Sequence, residues 1–243
     1  MTDKANHVPG ALRANCTIEL HSQYAINTWT GRPASPGKSS LIGIPSFFGL
    51  LARINRDSLA DNPWADAALL AIEKQLLTGS QQMQRWLDEI NELIVSQIPS
   101  AVKMSLAASN SPSTITVHSQ TPLGYRCVYL LVGFDQLILR VFQASHYGLI
   151  SLQTRKQWLS RGSNQIRRVL MIALRYKSVP VTRRDIALGN DAASHAIALL
   201  GNVSKEILLG EERCSFSAPV DAESIQVLRA VLNSQPMKSE VEM

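Results

Sequence analysis

The residues able to do bond-breaking or metal chemistry are few and badly placed for it. His7, His21, His118, His146 and His195 are scattered, without Ser/Asp or Cys partners in a recognisable order. No H-E-x-x-H stretch, nucleophile elbow or pair of carboxylates on a core strand occurs. Cys16, Cys127 and Cys214 are odd in number and far apart, with no C-x-x-C or Cys/His ligand spacing. They read as three ordinary thiols in a reducing cytosol, with neither a disulfide framework nor a zinc site. Asp135 lies in an apolar helical stretch, where pairing with a nearby arginine or facing water is the expectation rather than a perturbed acid. The GKS at 37–39 has the ending of a phosphate-binding loop, but the glycine required five residues earlier is replaced by Arg32. Pro33 and Pro36 also remove backbone N–H groups from a loop whose task would be to present them. The expectation is no enzyme, no metal, no cofactor and no small-molecule substrate.

What chemistry there is comes from charge. The 243 residues carry a net charge of +5, unevenly distributed. Residues 136–184 contain no Asp or Glu but hold Arg140, Arg155, Lys156, Arg161, Arg167, Arg168, Arg175, Lys177, Arg183 and Arg184. That window is +10, and the rest of the chain is −5. Like charges crowded together destabilise a fold unless a polyanion neutralises them, and nucleic acid is the commonest one. A solvated basic face, or docking onto the acidic remainder of the same chain, is the plainer alternative.

The elements that must position these charges begin at Thr114. TITVHSQT (114–121) alternates apolar and polar residues like a half-buried strand. Ile115 and Val117 turn inward, while Thr114, Thr116, His118 and Gln120 turn outward, each able to donate or accept a hydrogen bond to a base edge. Thr121-Pro122 then caps a helix through YRCVYLLVGFDQLILRVFQ that is apolar on nearly every side and belongs in a core. Gly148 suits the left-handed residue that closes it. Ser151 caps a second helix with Ile166, Val169, Leu170, Ala173 and Tyr176 on its buried face, bent or split at Gly162. Strand, helix and helix over 114–177 form a ribbon-helix-helix-like unit. In that arrangement strands of two protomers pair and enter the major groove, so a homodimer on double-stranded DNA is expected. The phosphate contacts would come from Ser151, Arg155, Lys156, Arg161, Arg167 and Arg168. Glu19, on the outer face of the first strand, would be repelled by phosphates, which favours the second strand as reader. A weaker competitor is VTRRDIALGNDAASHAIALLG (181–201), two short helices around Gly189-Asn190, whose second helix lacks Arg and Lys.

Elsewhere, residues 1–15 read as a flexible tail and CTIELHSQY (16–24) as another half-buried strand. TIELHSQ (17–23) and TITVHSQ (114–120) agree at five of seven positions, so the two could also pair within one chain. GRPASPGKSS (31–40) is a loop, and 46–60 an amphipathic helix. Asn62-Pro63 starts a long helix from Trp64 to about Ile98, ended by Pro99. Its apolar residues at Leu69, Ile72, Leu76, Met83, Trp86, Ile90 and Leu93 form a seam, weakened by Gly79, against another helix of the fold. ASNSPS (108–113) is a polar linker. Short helices separated by Gly189, Gly201 and Gly210 follow, then a last amphipathic helix over 220–234 and a polar end. The fold class expected is mainly α with a small β component. One helical domain spans 16–215, and 216–243 is a C-terminal helix and tail. The N-terminus has no signal-peptide core, and the longest apolar run, Cys127–Val132, is far short of the ~20 residues of a membrane span. A cytoplasmic protein is expected.

Several stretches together resemble a known family. IELHSQYAINTWTGR (18–32), PGKSSLIGIPSFFGLLARI (36–54), ADNPWAD (60–66), TPLGYRCVYLLVGFDQLILRV (121–141), HYGLISLQT (146–154) and VTRRDIALGNDAA (181–193) are similar to proteins of integrating conjugative elements and related conjugative plasmids. The plasmid branch includes the AcaB-type transcriptional activators of conjugation genes, associated with a ribbon-helix-helix fold. The resemblance covers most of 17–215 and implies DNA binding and gene regulation in a bacterial cytoplasm. It carries no reader motif onto particular residues. The alternative is a non-catalytic accessory protein of conjugation or element maintenance, binding protein or nucleic acid without base-specific readout.

Overall fold

The computed structural model describes residues 15–37, 40–105 and 107–234. In chain order they form β1 (Cys16–Leu20), α1 (Gln23–Thr30), α2 (Ile44–Leu59), α3 (Pro63–Gln97), β2 (Ser113–Val117), α4 (Pro122–His146), α5 (Leu152–Arg175), α6 (Arg183–Leu188), α7 (Asp191–Leu200), α8 (Lys205–Leu208) and α9 (Ala222–Ser234). The fold is mainly helical with one small antiparallel sheet. Residues 1–14 and 235–243, most of the two expected tails, lie outside the described residues, as do Lys38 and Ser39 of the GKS stretch.

Side chains in front of the helices set where they start. Asn62 accepts from the backbone N–H groups of Trp64 and Ala65, with Pro63 at the first helical position of α3. Thr121 and Pro122 do the same for α4. Ser151 accepts from Thr154 N–H to open α5. Gly148, at φ +73°, takes the left-handed turn after α4, as expected.

The core is built on α4. Leu130, Leu131, Phe134, Leu137, Ile138 and Val141 are buried, with α3, α5, α2 and α1 packed around them. Among the described residues α4 is the one helix long and apolar enough to cross a membrane, and most of it is enclosed by these neighbours. The α3 seam packs inside the chain, against α4. Gly79 belongs to the seam rather than weakening it: a Cβ there would lie 3.4 Å from Leu130, and one on Gly133 would lie 3.4 Å from Met83. Each glycine admits a side chain of the facing helix, so the axes come close. Gly162 departs from expectation for a similar reason. α5 runs unbroken through it, and a Cβ would stand 2.5 Å from the Phe134 ring. It is a contact point, not a hinge.

The sheet settles the pairing left open by the sequence. β2 lies antiparallel to β1 of the same chain, with Ile18 opposite Ile115, Thr17 opposite Thr116 and Glu19 opposite Thr114. Leu20 and Val117 are buried beneath the ribbon. This is the ribbon assigned above to two protomers, made within one chain. Its turn into α1 is held from an unexpected quarter. Asp135 is buried in α4, and its carboxylate accepts from the backbone N–H groups of His21 (2.8 Å) and Ser22 (2.9 Å), not from an arginine or water. Ser22 then caps α1, an eight-residue helix with Ala25 as its buried residue, which the strand reading of 16–24 overran.

The 31–43 loop closes on itself at a neck where Gly31 (φ +76°) and Gly43 meet. A Cβ on Gly31 would lie 2.5 Å from Gly43 N, and one on Gly43 would lie 2.4 Å from Trp29 O. Arg32 and Leu41 bridge just beyond it. In the C-terminal part, Thr182 and Asp185 form a reciprocal capping box for α6, Gly189 (φ +62°) ends it, and Asn190 caps α7, so the two-helix shape around Gly189-Asn190 is formed. This part is fastened to the α2–α3 corner by Arg183, which is fully buried. Its guanidinium donates to Asp61 (2.8 Å), Asp66 (2.6 Å) and the carbonyls of Ile207 (2.9 Å) and Leu208 (2.8 Å). Arg213 also contacts Asp66, at 3.2 Å.

Candidate nucleic-acid interface

At about 100° per residue, α5 divides cleanly into two faces. Trp158, Leu159, Gly162, Ile166, Val169 and Ala173 point into the core. Lys156, Arg161, Arg167, Arg168 and Arg175 are all exposed and fall within an arc of roughly 140° on the opposite side. Arg161, Arg168 and Arg175 follow one another at seven-residue steps, about 10.5 Å apart along the axis. They make a straight stripe of guanidinium groups, flanked by Lys156 and Arg167. From Lys156 to Arg175 the face is about 28 Å long. Asn164 and Gln75 join Arg167, Arg168 and Arg175 around a groove of about 610 Å³ between α5 and α3.

Among the described residues, none of Lys156, Arg161, Arg167, Arg168, Arg175 or Lys177 has a carboxylate within ion-pair distance. Several of the chain's acidic groups are engaged elsewhere. Glu73 pairs with Arg126 and accepts from Ser215 N–H, Lys74 meets Glu212, and Asp61 and Asp66 hold Arg183. Burial would raise the Glu73 carboxyl, but the hydrogen bonds from Ser215 and the Arg126 charge leave it below its ordinary value. Among the described residues, the α5 cations are thus not neutralised by docking onto this chain's own acids.

Other cations of the window have local partners. Arg140 donates to Gln143 (3.0 Å) and Arg183 is the buried node; hydrogen bonds from Thr182 and Ser224 hold the Asp185 and Asp221 carboxyls below their usual values, and the Arg184 charge adds to both. Arg155, offered above as a phosphate contact, sits half-buried at the margin with its guanidinium 5.6 Å from the centre of the Phe142 ring. The Ser151 hydroxyl is occupied at the start of α5, 2.8 Å from the Thr154 hydroxyl and accepting from its N–H. Arg175 is the member of the face that the phosphate set omits, although the step from Arg168 would have found it.

Thr114, Thr116, His118 and Gln120 are all exposed. The first two stand on the outer face of the ribbon beside Thr17 and Glu19. His118 and Gln120 lie past the last strand residue, and Gln120 lines a shallow groove of about 440 Å³ with Tyr125, Arg126 and Tyr129. Neither strand packs substantially against α5; the ribbon rests on α4. The four strand residues and the α5 cations are therefore two separate surfaces. No group of three or more His, Cys, Asp or Glu is arranged to hold a metal among the described residues. Burial pushes the Cys127 thiol up to about 12 and Cys214 to about 11, so neither supplies a thiolate near neutral pH.

Residues 8–221 match the family described as transcriptional regulator AcaB. Among solved structures, the crystal structure of selenomethionine-containing AcaB from uropathogenic E. coli aligns with a TM-score of 0.51 at 12% identity, covering 90% of this chain and 97% of that one. At such identity the likeness is one of fold. No curated protein sequence matches the chain.

Proposed function

The chain belongs to the AcaB family of transcriptional regulators, and from that premise we propose that it binds double-stranded DNA as a homodimer in the bacterial cytoplasm and activates conjugative transfer genes. The observation that carries the reading is the solvent face of α5, where the exposed cations have no ion-pair partner among the described residues. In this reading Lys156, Arg161, Arg167 and Arg168 contact phosphates, with Arg175 beside them and Arg155 at the edge. Ser151 contributes the N–H groups of the first turn of α5 rather than its hydroxyl. Thr114, Thr116, His118 and Gln120 read base edges, on a ribbon that one chain supplies whole. The sheet has two strands among the described residues, so each strand keeps an unpaired edge through which a second copy can join.

The test is binding of the purified protein to a transfer-gene promoter fragment and to random duplex, followed by promoter footprinting. If about six phosphates are neutralised, log affinity falls with log salt at a slope of roughly −5. Replacing Thr116 and His118 with alanine abolishes discrimination between the duplexes and leaves most non-specific binding. Equal affinity of the unmodified protein for both duplexes overturns the regulator reading. The second reading, an accessory protein without base readout, is favoured by one observation: Glu19 sits opposite Thr114 on the ribbon's outer face, where a phosphate would meet it. A strand variant that binds its promoter normally would support that reading.

A further inference from the structure

A third cleft, of about 590 Å³, opens between α1, residues 31–32 and 40–42, and α5. Its volume falls within the roughly 300–1,000 Å³ of small-molecule pockets. Phe134, Leu159 and Leu170 form an apolar floor. Tyr24 and Ile42 stand on one wall, Met171 and Leu174 on the other. The loop wall is preformed, because the Gly31–Gly43 neck and the Arg32–Leu41 bridge hold it closed. Among the described residues no acidic residue lines the cleft, and the charged ones, Arg32 and Arg167, are both cations. Ser160 and Ser163 place hydroxyls on the α5 side.

We propose that this cleft binds a small amphipathic carboxylate, its apolar body on the Leu159–Leu170 floor and its head on the Arg167 guanidinium. A neutral apolar molecule would leave that guanidinium unmatched, and a fully polar anion would leave the floor wet. Arg167 also lines the α3–α5 groove and belongs to the stripe face. A carboxylate on it removes one cation from the surface offered to phosphates. The carboxylate therefore antagonises DNA binding, a consequence that rests on the function proposed above.

The site itself is tested without DNA, on the full chain, using the fluorescent probe 1-anilinonaphthalene-8-sulfonate and displacement by dodecanoate. Saturable binding of one probe per chain is expected, displaced by dodecanoate and about ten-fold less well by dodecanol, which lacks the charge-assisted contact. Ser163→Phe fills the cleft and abolishes binding. Leu174→Asp, at an exposed rim position, repels the head without touching the core and serves if the first variant does not fold. Absence of saturable binding, equal displacement by the alcohol, or binding by Leu174→Asp equal to that of the unmodified chain overturns the site. With DNA present, saturating dodecanoate weakens binding several-fold; an unchanged affinity overturns the antagonism and leaves the site. A chain that binds dodecanoate but no DNA sinks the functional reading instead.

Discussion

Arg183 and Arg168 come from the same acid-free window and meet opposite fates. Arg183 is wholly buried between Asp61 and Asp66, with two carbonyls taking two more of its donors. Arg168 is exposed, with no carboxylate in reach among the described residues. Taking a guanidinium out of water costs several kcal/mol and is tolerated only when each donor finds an acceptor. That condition makes the buried arginine a structural tie and leaves the exposed ones to an external anion. Counting charge along a sequence cannot separate the two; counting the carboxylates around each cation does.

The contrast can be broken most forcefully at its buried end. Arg183→Ala leaves Asp66 without the nearer of its two arginines, so a loss of about 3–5 kcal/mol is expected, toward the lower figure because Arg213 and the Ser58 hydroxyl stay in contact. Denaturant unfolding reads it, and DNA affinity per folded molecule should not change. A variant of native stability would show that the node is not what fastens α6 to the α2–α3 corner. Arg161 and Gly162 test the same contrast between adjacent residues on opposite faces of one helix. Gly162→Ala forces a methyl into the Phe134 ring and costs about 1–3 kcal/mol. Arg161→Ala should stay within about 0.5 kcal/mol in the same unfolding measurement and lose only DNA affinity.

Reversing charge on the outer face comes next. Arg167→Glu with Arg168→Glu lowers DNA affinity at least about ten-fold and flattens the salt slope by about 2, with little change in melting temperature. The smallest effect concerns pH. Hydrogen bonds from Thr182 and Asn190 hold the Asp185 carboxyl below its ordinary 3.8 in the folded chain. A depressed folded pKa means that this stabilisation is complete above about pH 4 and is lost as pH falls through the folded value. Asp185→Asn should flatten the acid limb of the stability profile; an unchanged limb would mean that the capping box contributes nothing there.

Helix starts were legible because they are local. Asn62-Pro63, Thr121-Pro122 and Ser151 each act within three residues of themselves. The α3 seam was legible from its spacing, and the exposed face of the ribbon from alternation. Features that depend on distant partners were not. Gly162 looks like a helix breaker until Phe134 is placed against it. Asp135 looks like a misplaced acid until two N–H groups from β1's end arrive. Arg183 looks like its neighbours in the basic window, since nothing nearby in sequence reveals that Asp61 and Asp66 surround it. α1 has a single local signal, the Ser22 cap, and buries too little apolar surface to show a period. On the candidate interface, cation type and clustering were visible, whereas the stripe of Arg161, Arg168 and Arg175 needed the helix to be recognised as unbroken.

The Asp135 clasp also constrains how the chain is made. β1 leaves the ribosome well ahead of its partner strand, which follows almost a hundred residues later, and the carboxylate that holds its turn comes later still. At about 5–20 residues per second, β1 waits roughly 5–20 s with Ile18 and Leu20 uncovered and both its edges open. Closing so long a connection adds little to the equilibrium cost, because loop entropy grows only logarithmically with length. The delay is kinetic. The ribbon is completed only after α4 has been synthesised, so a base-reading surface built on it would be assembled only once that core helix is in place.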